Sequence, residues 1–266
     1  MTIARRSFAG RGAGWLSLAI LTLAGCMSPT LGYAQEIPLA AVDAAVMASS
    51  NETGLARTEV GAAWTAEIVR PISARTAPDA ESTTLMKLQP YGVGSLPTTL
   101  FATRGYRDRT HRDWVRVQLN RRPNETTGWV PADAVLLRRT DVRVVVHMTR
   151  RRLDVWRASG RVLSVPVGIG RSGTPTPTGR FAIDDMWETD ATTRRIYGRF
   201  VFALTAHSDE LKRFNGGEGR IAVHGGGSSR RVGARSSFGC LIVSDQALQR
   251  LWKLVGPGMP VTVVAD

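Results

Sequence analysis

Between Asp141 and Asp266 the apolar residues fall into short alternating runs, and this period-two pattern restricts most severely what the chain can build. Val142 to His147, Leu153 to Trp156 and Val162 to Ile169 each read as a strand, with a turn at Ala158-Ser159-Gly160. Gly179 to Ile183 follows the proline-rich turn Thr174-Pro175-Thr176-Pro177-Thr178, and Phe200 to Leu204, Arg220 to His224 and Met259 to Val264 complete the series. A helical period occurs once, from Asp245 to Val255. It carries Ala247, Leu248, Leu251 and Leu254 on one face, Ser244 as N-cap and Gly256-Pro257 as the stop. Strands with one late helix predict a mainly β domain over 141–266, sandwich- or barrel-like rather than doubly wound.

A second β pattern precedes it. From Glu67 to Arg138, short runs at Leu85–Leu88, Gly92–Leu96, Trp114–Val117 and Gly128–Val130 alternate, punctuated by Pro90-Tyr91-Gly92 and Pro123-Asn124. About five short strands in roughly 70 residues suggest a small barrel. The order of these runs over 66–138 resembles the bacterial SH3-like domain, a resemblance that implies either wall binding or a spacer. Residues 35–65 are Ala-rich with polar interruptions and read as a linker holding one frayed helix.

The first 34 residues have the form of an export signal. Arg5, Arg6 and Arg11 precede the apolar stretch Ala13–Ala24, which is short for a bilayer span. Two exits compete: Leu23-Ala24-Gly25-Cys26 resembles a lipobox, with Cys26 as the lipidated residue, whereas Gly32-Tyr33-Ala34 fits cleavage to a soluble exported protein. Arg5-Arg6-Ser7-Phe8 also bears a faint likeness to a twin-arginine signal. The formal charge of +13 is supplied almost wholly by Arg, with Lys only at 87, 212 and 253. Such a surface suits membranes or carboxylate-bearing polymers. The Arg residues are scattered and no nucleic-acid motif occurs, so nucleic acid is excluded as a partner.

An exported chain sits in an oxidising compartment, and there Cys240 has no second thiol once Cys26 is removed or lipidated. Either it fills core or it reacts. His224 ends a strand, enters Gly225-Gly226-Gly227, and lies sixteen residues before Cys240, which follows Ser236-Ser237-Phe238-Gly239. A nucleophilic thiol needs a base in reach, and a flexible Gly/Ser/Arg-rich hairpin could bring the two together. Gly239 could turn backbone N–H groups toward an oxyanion. Arg230, Arg231 and Arg235 lie between the pair. If close, they would hold the thiol as a thiolate near neutral pH and could take a substrate carboxylate.

These residues resemble the L,D-transpeptidases with a YkuD-type catalytic domain. Four motifs carry the likeness in order: Val165 to Ile183 with its Thr-Pro-Thr-Gly, Phe214 to Gly225, Val232-Gly233, and Ser237 to Cys240 followed by Ser244-Asp245 and a Leu-containing helix. The resemblance implies a peptidoglycan transpeptidase with Cys240 as nucleophile, His224 as base and the Gly225 carbonyl orienting it. The Gly239 and Cys240 N–H groups would form the oxyanion hole, and Ser237, Phe238, Arg235 and Arg199 would meet substrate. Donor and acceptor stem peptides are the implied partners, the periplasm or cell envelope the implied place, and neither metal nor organic cofactor is called for. A thiol hydrolase on the same fold and an inactive wall-binding lipoprotein are the alternatives. Two positions depart from the family pattern: Phe238 stands where a His is usual, and Ile242 where Arg or Asn is usual.

Overall fold

A computed structural model describes residues 35–36, 52–53 and 62–266. The export signal, the lipobox at Cys26 and nearly all of the expected linker lie outside the described residues. The chain is mainly β and its strands form two large sheets.

The first sheet contains β1 (Gln35–Glu36), β2 (Glu52–Thr53), β3 (Ala63–Ile68), β4 (Ile72–Arg75), β5 (Thr84–Leu88), β6 (Thr99–Arg107), β7 (Asp113–Gln118), β8 (Thr127–Pro131) and β9 (Val135–Thr140). Its order is β1-β9-β3-β6-β7-β8-β4-β5, with β2 on β6. Ala66, Ile68, Leu100, Val115, Val117, Val130 and Leu137 point into one core. The run Gly92–Leu96, expected as a strand, is instead a turn: Gly92 N–H donates to Leu96 O at 3.0 Å, Ser95 has φ 62° and Val93 is 93% exposed. Glycines at both 92 and 94 favour this chain reversal over a ladder. β3 starts at Ala63, ahead of the expected boundary at 66.

The second sheet contains β10 (Arg143–His147), β11 (Arg152–Arg157), β12 (Gly160–Pro166), β14 (Gly179–Glu188), β15 (Phe200–His207), β16 (Arg220–His224), β18 (Leu241–Ile242) and β19 (Pro260–Val264). A small companion pairs β13 (Ile169–Gly170) with β17 (Arg235–Ser237). The order is β12-β11-β10-β19-β14-β15-β16-β18, antiparallel except for β10–β19 and β16–β18. One-turn helix α1 (Arg194–Tyr197) precedes β15, and α2 (Asp245–Trp252) follows β18. α2 is capped as expected, Ser244 Oγ accepting from Ala247 N–H at 3.2 Å. It ends three residues early, because Leu254 N–H already turns back to Leu251 O before Gly256.

Alternation sets the core: Val144, Val146, Leu153, Val155, Phe181, Val261 and Val263 point inward with Leu248 and Leu251 of α2. β15 is buried along its whole length, because Phe200 stacks on Trp252 at 4.4 Å while the first sheet covers its other end. That cover is partly polar, beside an apolar contact of Ala63 and Phe101 with Ala182. Gln118 Nε2 donates to Arg180 O at 2.6 Å, Thr205 Oγ1 to Gln118 Oε1 at 3.2 Å and Gly94 N–H to Asp185 Oδ2 at 3.0 Å. Asn120 Nδ2 reaches Asp184 Oδ2 at 3.0 Å, where Arg220 also binds.

Candidate active site around Cys240 and His224

β16 and β18 run parallel with Val223 opposite Leu241 and His224 opposite Ile242. Continuing that register sets Cys240 level with Ala222. Side chains alternate along a strand, so Cys240 and His224 share one sheet face on neighbouring strands, one side-chain interval apart. Strand pairing brings the two segments side by side, and the chain between them is no loose tether. Gly225 N–H donates to Tyr197 O at 2.8 Å and Gly227 N–H to Arg195 O at 2.9 Å, which fastens the glycines to α1. Gly226 has φ 74°, and a Cβ there would sit 2.5 Å from Ile196 O. The glycines therefore serve close approach to α1.

His224 Nδ1 lies 2.8 Å from the Gly225 carbonyl, and the Tyr197 ring meets the imidazole edge-on at 5.1 Å. A carbonyl only accepts, so in the neutral ring Nδ1 carries the proton and Nε2 holds the free lone pair. His224 is 5% exposed, and burial pushes it down from 6.5 to about 4, with Gly225 opposing and Arg231 assisting. Burial likewise pushes the Cys240 thiol up, against the opposing effects of the Ala222 N–H and Arg231. Both shifts favour the uncharged forms. This corrects the expectation of a thiolate poised near neutral pH: Arg231 acts in the expected direction, but desolvation outweighs it.

The turn that carries Cys240 is braced from within. Ser237 Oγ donates to Cys240 O at 2.6 Å and accepts from Gly239 N–H at 3.1 Å. Thr176 Oγ1 donates to Gly239 O at 2.8 Å and accepts from Gly170 N–H at 3.0 Å, and Thr174 Oγ1 donates to Ser237 O at 3.3 Å. The Thr-Pro-Thr segment is thus a buttress. Gly239 has φ 118°, and a Cβ there would lie 2.8 Å from Ile221 Cδ1, so the position admits only glycine.

The other expected site residues are placed as follows. Ser237 is buried and its hydroxyl is bonded inside the turn. Gly239 offers its N–H to Ser237 rather than to an open oxyanion position. Arg199 bonds Glu188 Oε1 at 3.0 Å and stacks on Phe200. Arg235 lies exposed on β17. Phe238 is 41% exposed at the tip of the Cys240 turn. Of the three arginines expected near the pair, Arg231 is the guanidinium that bears on both members. Two residues escaped the reading of the sequence. Arg171 lies over the Phe238 ring at 4.1 Å, and Phe214 packs against the same ring at 5.0 Å. Nothing in one-dimensional spacing announces such stacking.

Residues 141–263 match the family model of the L,D-transpeptidase catalytic domain, YkuD. The match supports an L,D-transpeptidase catalytic domain over that segment. Among solved structures, the chain is similar to Bd1075 from Bdellovibrio bacteriovorus at 21% identity, covering 47% of each chain with a TM-score of 0.38. An L,D-transpeptidase from Enterococcus faecium shows 17% identity, 46% and 49% coverage and a TM-score of 0.36. One from Mycobacterium smegmatis shows 19% identity over 58% of this chain and 91% of its own, with a TM-score of 0.36. The chain spans about half the length of the first two. No curated protein matches it.

Proposed function

We propose that the protein is a peptidoglycan L,D-transpeptidase acting through a thioester on Cys240. The observation that supports this most directly is the pairing of β16 with β18, which carries His224 alongside the segment that follows Cys240, together with Nδ1 held by Gly225 O. In this reading Nε2 of neutral His224 takes the thiol proton as Sγ attacks the amide carbonyl at the L-centre of a diaminopimelate-type donor stem. The C–N bond to the terminal D-alanine breaks, and the leaving amine receives that proton from the imidazolium. A side-chain amine of a second stem then attacks the thioester, and its proton returns to the thiol by way of His224. Starting from an uncharged pair costs no separation of charge before substrate arrives, and substrate entry excludes water from the same face.

The oxyanion falls to the Cys240 N–H in this reading, because that of Gly239 is committed to Ser237. The remaining assignments rest on the sequence: export to the periplasm or envelope, anchoring through a lipidated Cys26 as one route, and an SH3-like first sheet that binds or spaces from the wall.

The test is muropeptide analysis of isolated sacculi treated with purified protein. New 3→3 or 1→3 dimers that vanish in Cys240→Ala support transpeptidation. Shortened monomers indicate a carboxypeptidase, and an unchanged profile overturns the enzymatic reading.

A further inference from the structure

The connection from β15 to β16 is a long hairpin, residues 208–219. Its tip is the tight turn Phe214-Asn215-Gly216-Gly217, closed by reciprocal bonds of 2.9 Å between Phe214 and Gly217. Asn215 and Gly216 have φ of 48° and 81°, the left-handed pair of a type I′ turn. The tip therefore presents Phe214 in a fixed direction, against Phe238, two residues from the thiol. Arg171 covers the same ring. Its N–H edge has no hydrogen-bond partner among the described residues, so it can take a carboxylate while the rings offer an apolar face.

The base of this hairpin is held by the other sheet. Arg122, in the β7–β8 connection, donates Nη1 to Ser208 O at 2.7 Å and Nη2 to Leu211 O and Glu218 O at 2.9 Å each. Asn124 adds Nδ2 to His207 O at 2.8 Å and accepts from His207 N–H at 2.8 Å. Beyond these ties Lys212, Arg213 and Glu218 line an open cleft facing Leu85, Met86 and Arg121, so directional bonds at the base, not apolar packing, orient the hairpin on this side. One planar fork satisfies three carbonyls on both limbs of the loop, which a single-point cation cannot do.

We propose that Arg122 is a positioning residue for the thiol site: it sets the hairpin so that Phe214, Phe238 and Arg171 form an aromatic wall that holds the carboxylate-bearing end of the donor peptide. This rests on the transpeptidase reading for its substrate. Arg122 itself touches neither the thiol pair nor the wall.

The test compares wild type, Phe214→Ala, Arg122→Gln and the double variant on a stem tetrapeptide donor. KM rises about 3- to 10-fold in each single variant, as expected for losing an aromatic contact, with kcat little changed. The double variant is no worse than the worse of the two singles, because both act through one contact. Iodoacetamide labelling of Cys240, followed by peptide mass spectrometry, is unchanged, since so small a reagent needs no wall. Trypsin cleavage after Lys212 or Arg213 is faster in Arg122→Gln than in wild type. An unaltered KM in Arg122→Gln, or additive losses in the double variant, overturns the proposal. Absent turnover by wild type overturns the reading of the activity instead. Trypsin then decides the tether alone, accelerated cleavage upholding it and unchanged cleavage refuting it. Should Arg122→Gln fail to fold, Arg122→Lys is judged by the same outcomes.

Discussion

Replacing His224 by Gln tests the resting state of the pair without any assumption about substrate. An unfolded histidine titrates near 6.5, whereas burial holds His224 down to about 4. Between those values the unfolded chain takes up a proton that the folded chain refuses. The stability tied to this residue is therefore complete above pH 6.5 and is lost as pH falls toward 4, after which it changes no further. The full gap corresponds to roughly 3 kcal/mol, and roughly 2 kcal/mol of it is lost between pH 7 and pH 4.5. Gln keeps a donor for the Gly225 carbonyl but cannot titrate. Urea unfolding of both proteins at pH 7 and 4.5 provides the measurement, and the difference of differences cancels His207, whose buried imidazole is also held low. Wild type should lose roughly 2 kcal/mol more than His224→Gln. Losses that agree within about 0.5 kcal/mol would refute a buried neutral imidazole.

Three further outcomes are expected. Iodoacetamide should modify Cys240 at pH 6 more slowly than a free model thiol, with the rate climbing only above the ordinary thiol range; faster labelling would reveal a preformed thiolate. Thr176→Val should cost about 1–3 kcal/mol in denaturant unfolding and lower turnover, because it strips partners from both Gly239 O and Gly170 N–H. Gly226→Ala, forced to φ 74° against Ile196 O, should cost more than about 1 kcal/mol and disturb His224, read as a lower melting temperature together with slower turnover.

What the sequence made legible follows from where alternation survives. β10, β11, β16 and β19 alternate cleanly and were found, as was α2 with its cap. β6 was missed because its register shifts between Ala102 and Arg104, and the bulge erases the period. β3 was obscured because buried alanines at 63 and 66 do not stand out from an Ala-rich tract. At the site, Cys240 and His224 were visible as residue types in a motif. Their protonation was not, because desolvation depends on what other strands stack above them. Thr176 looked like turn chemistry and proved to be a brace. Arg122 and Phe214 lie 92 residues apart in sequence from one another's influence, a relation that periodicity does not encode.

The polar bonds that cross between the sheets also bear on modular engineering. Apolar interfaces forgive exchange of one partner, since any greasy surface of similar shape will serve; bonds of fixed direction do not. A chimera that substitutes another module for residues 63–140 would strip Gln118 from Arg180 and Thr205, Asn120 from Asp184, and Arg122 from three loop carbonyls at once. Each bereaved group would need a new partner or water. The transplantable unit is therefore the pair of sheets together, and any minimal version of this protein must be cut outside both.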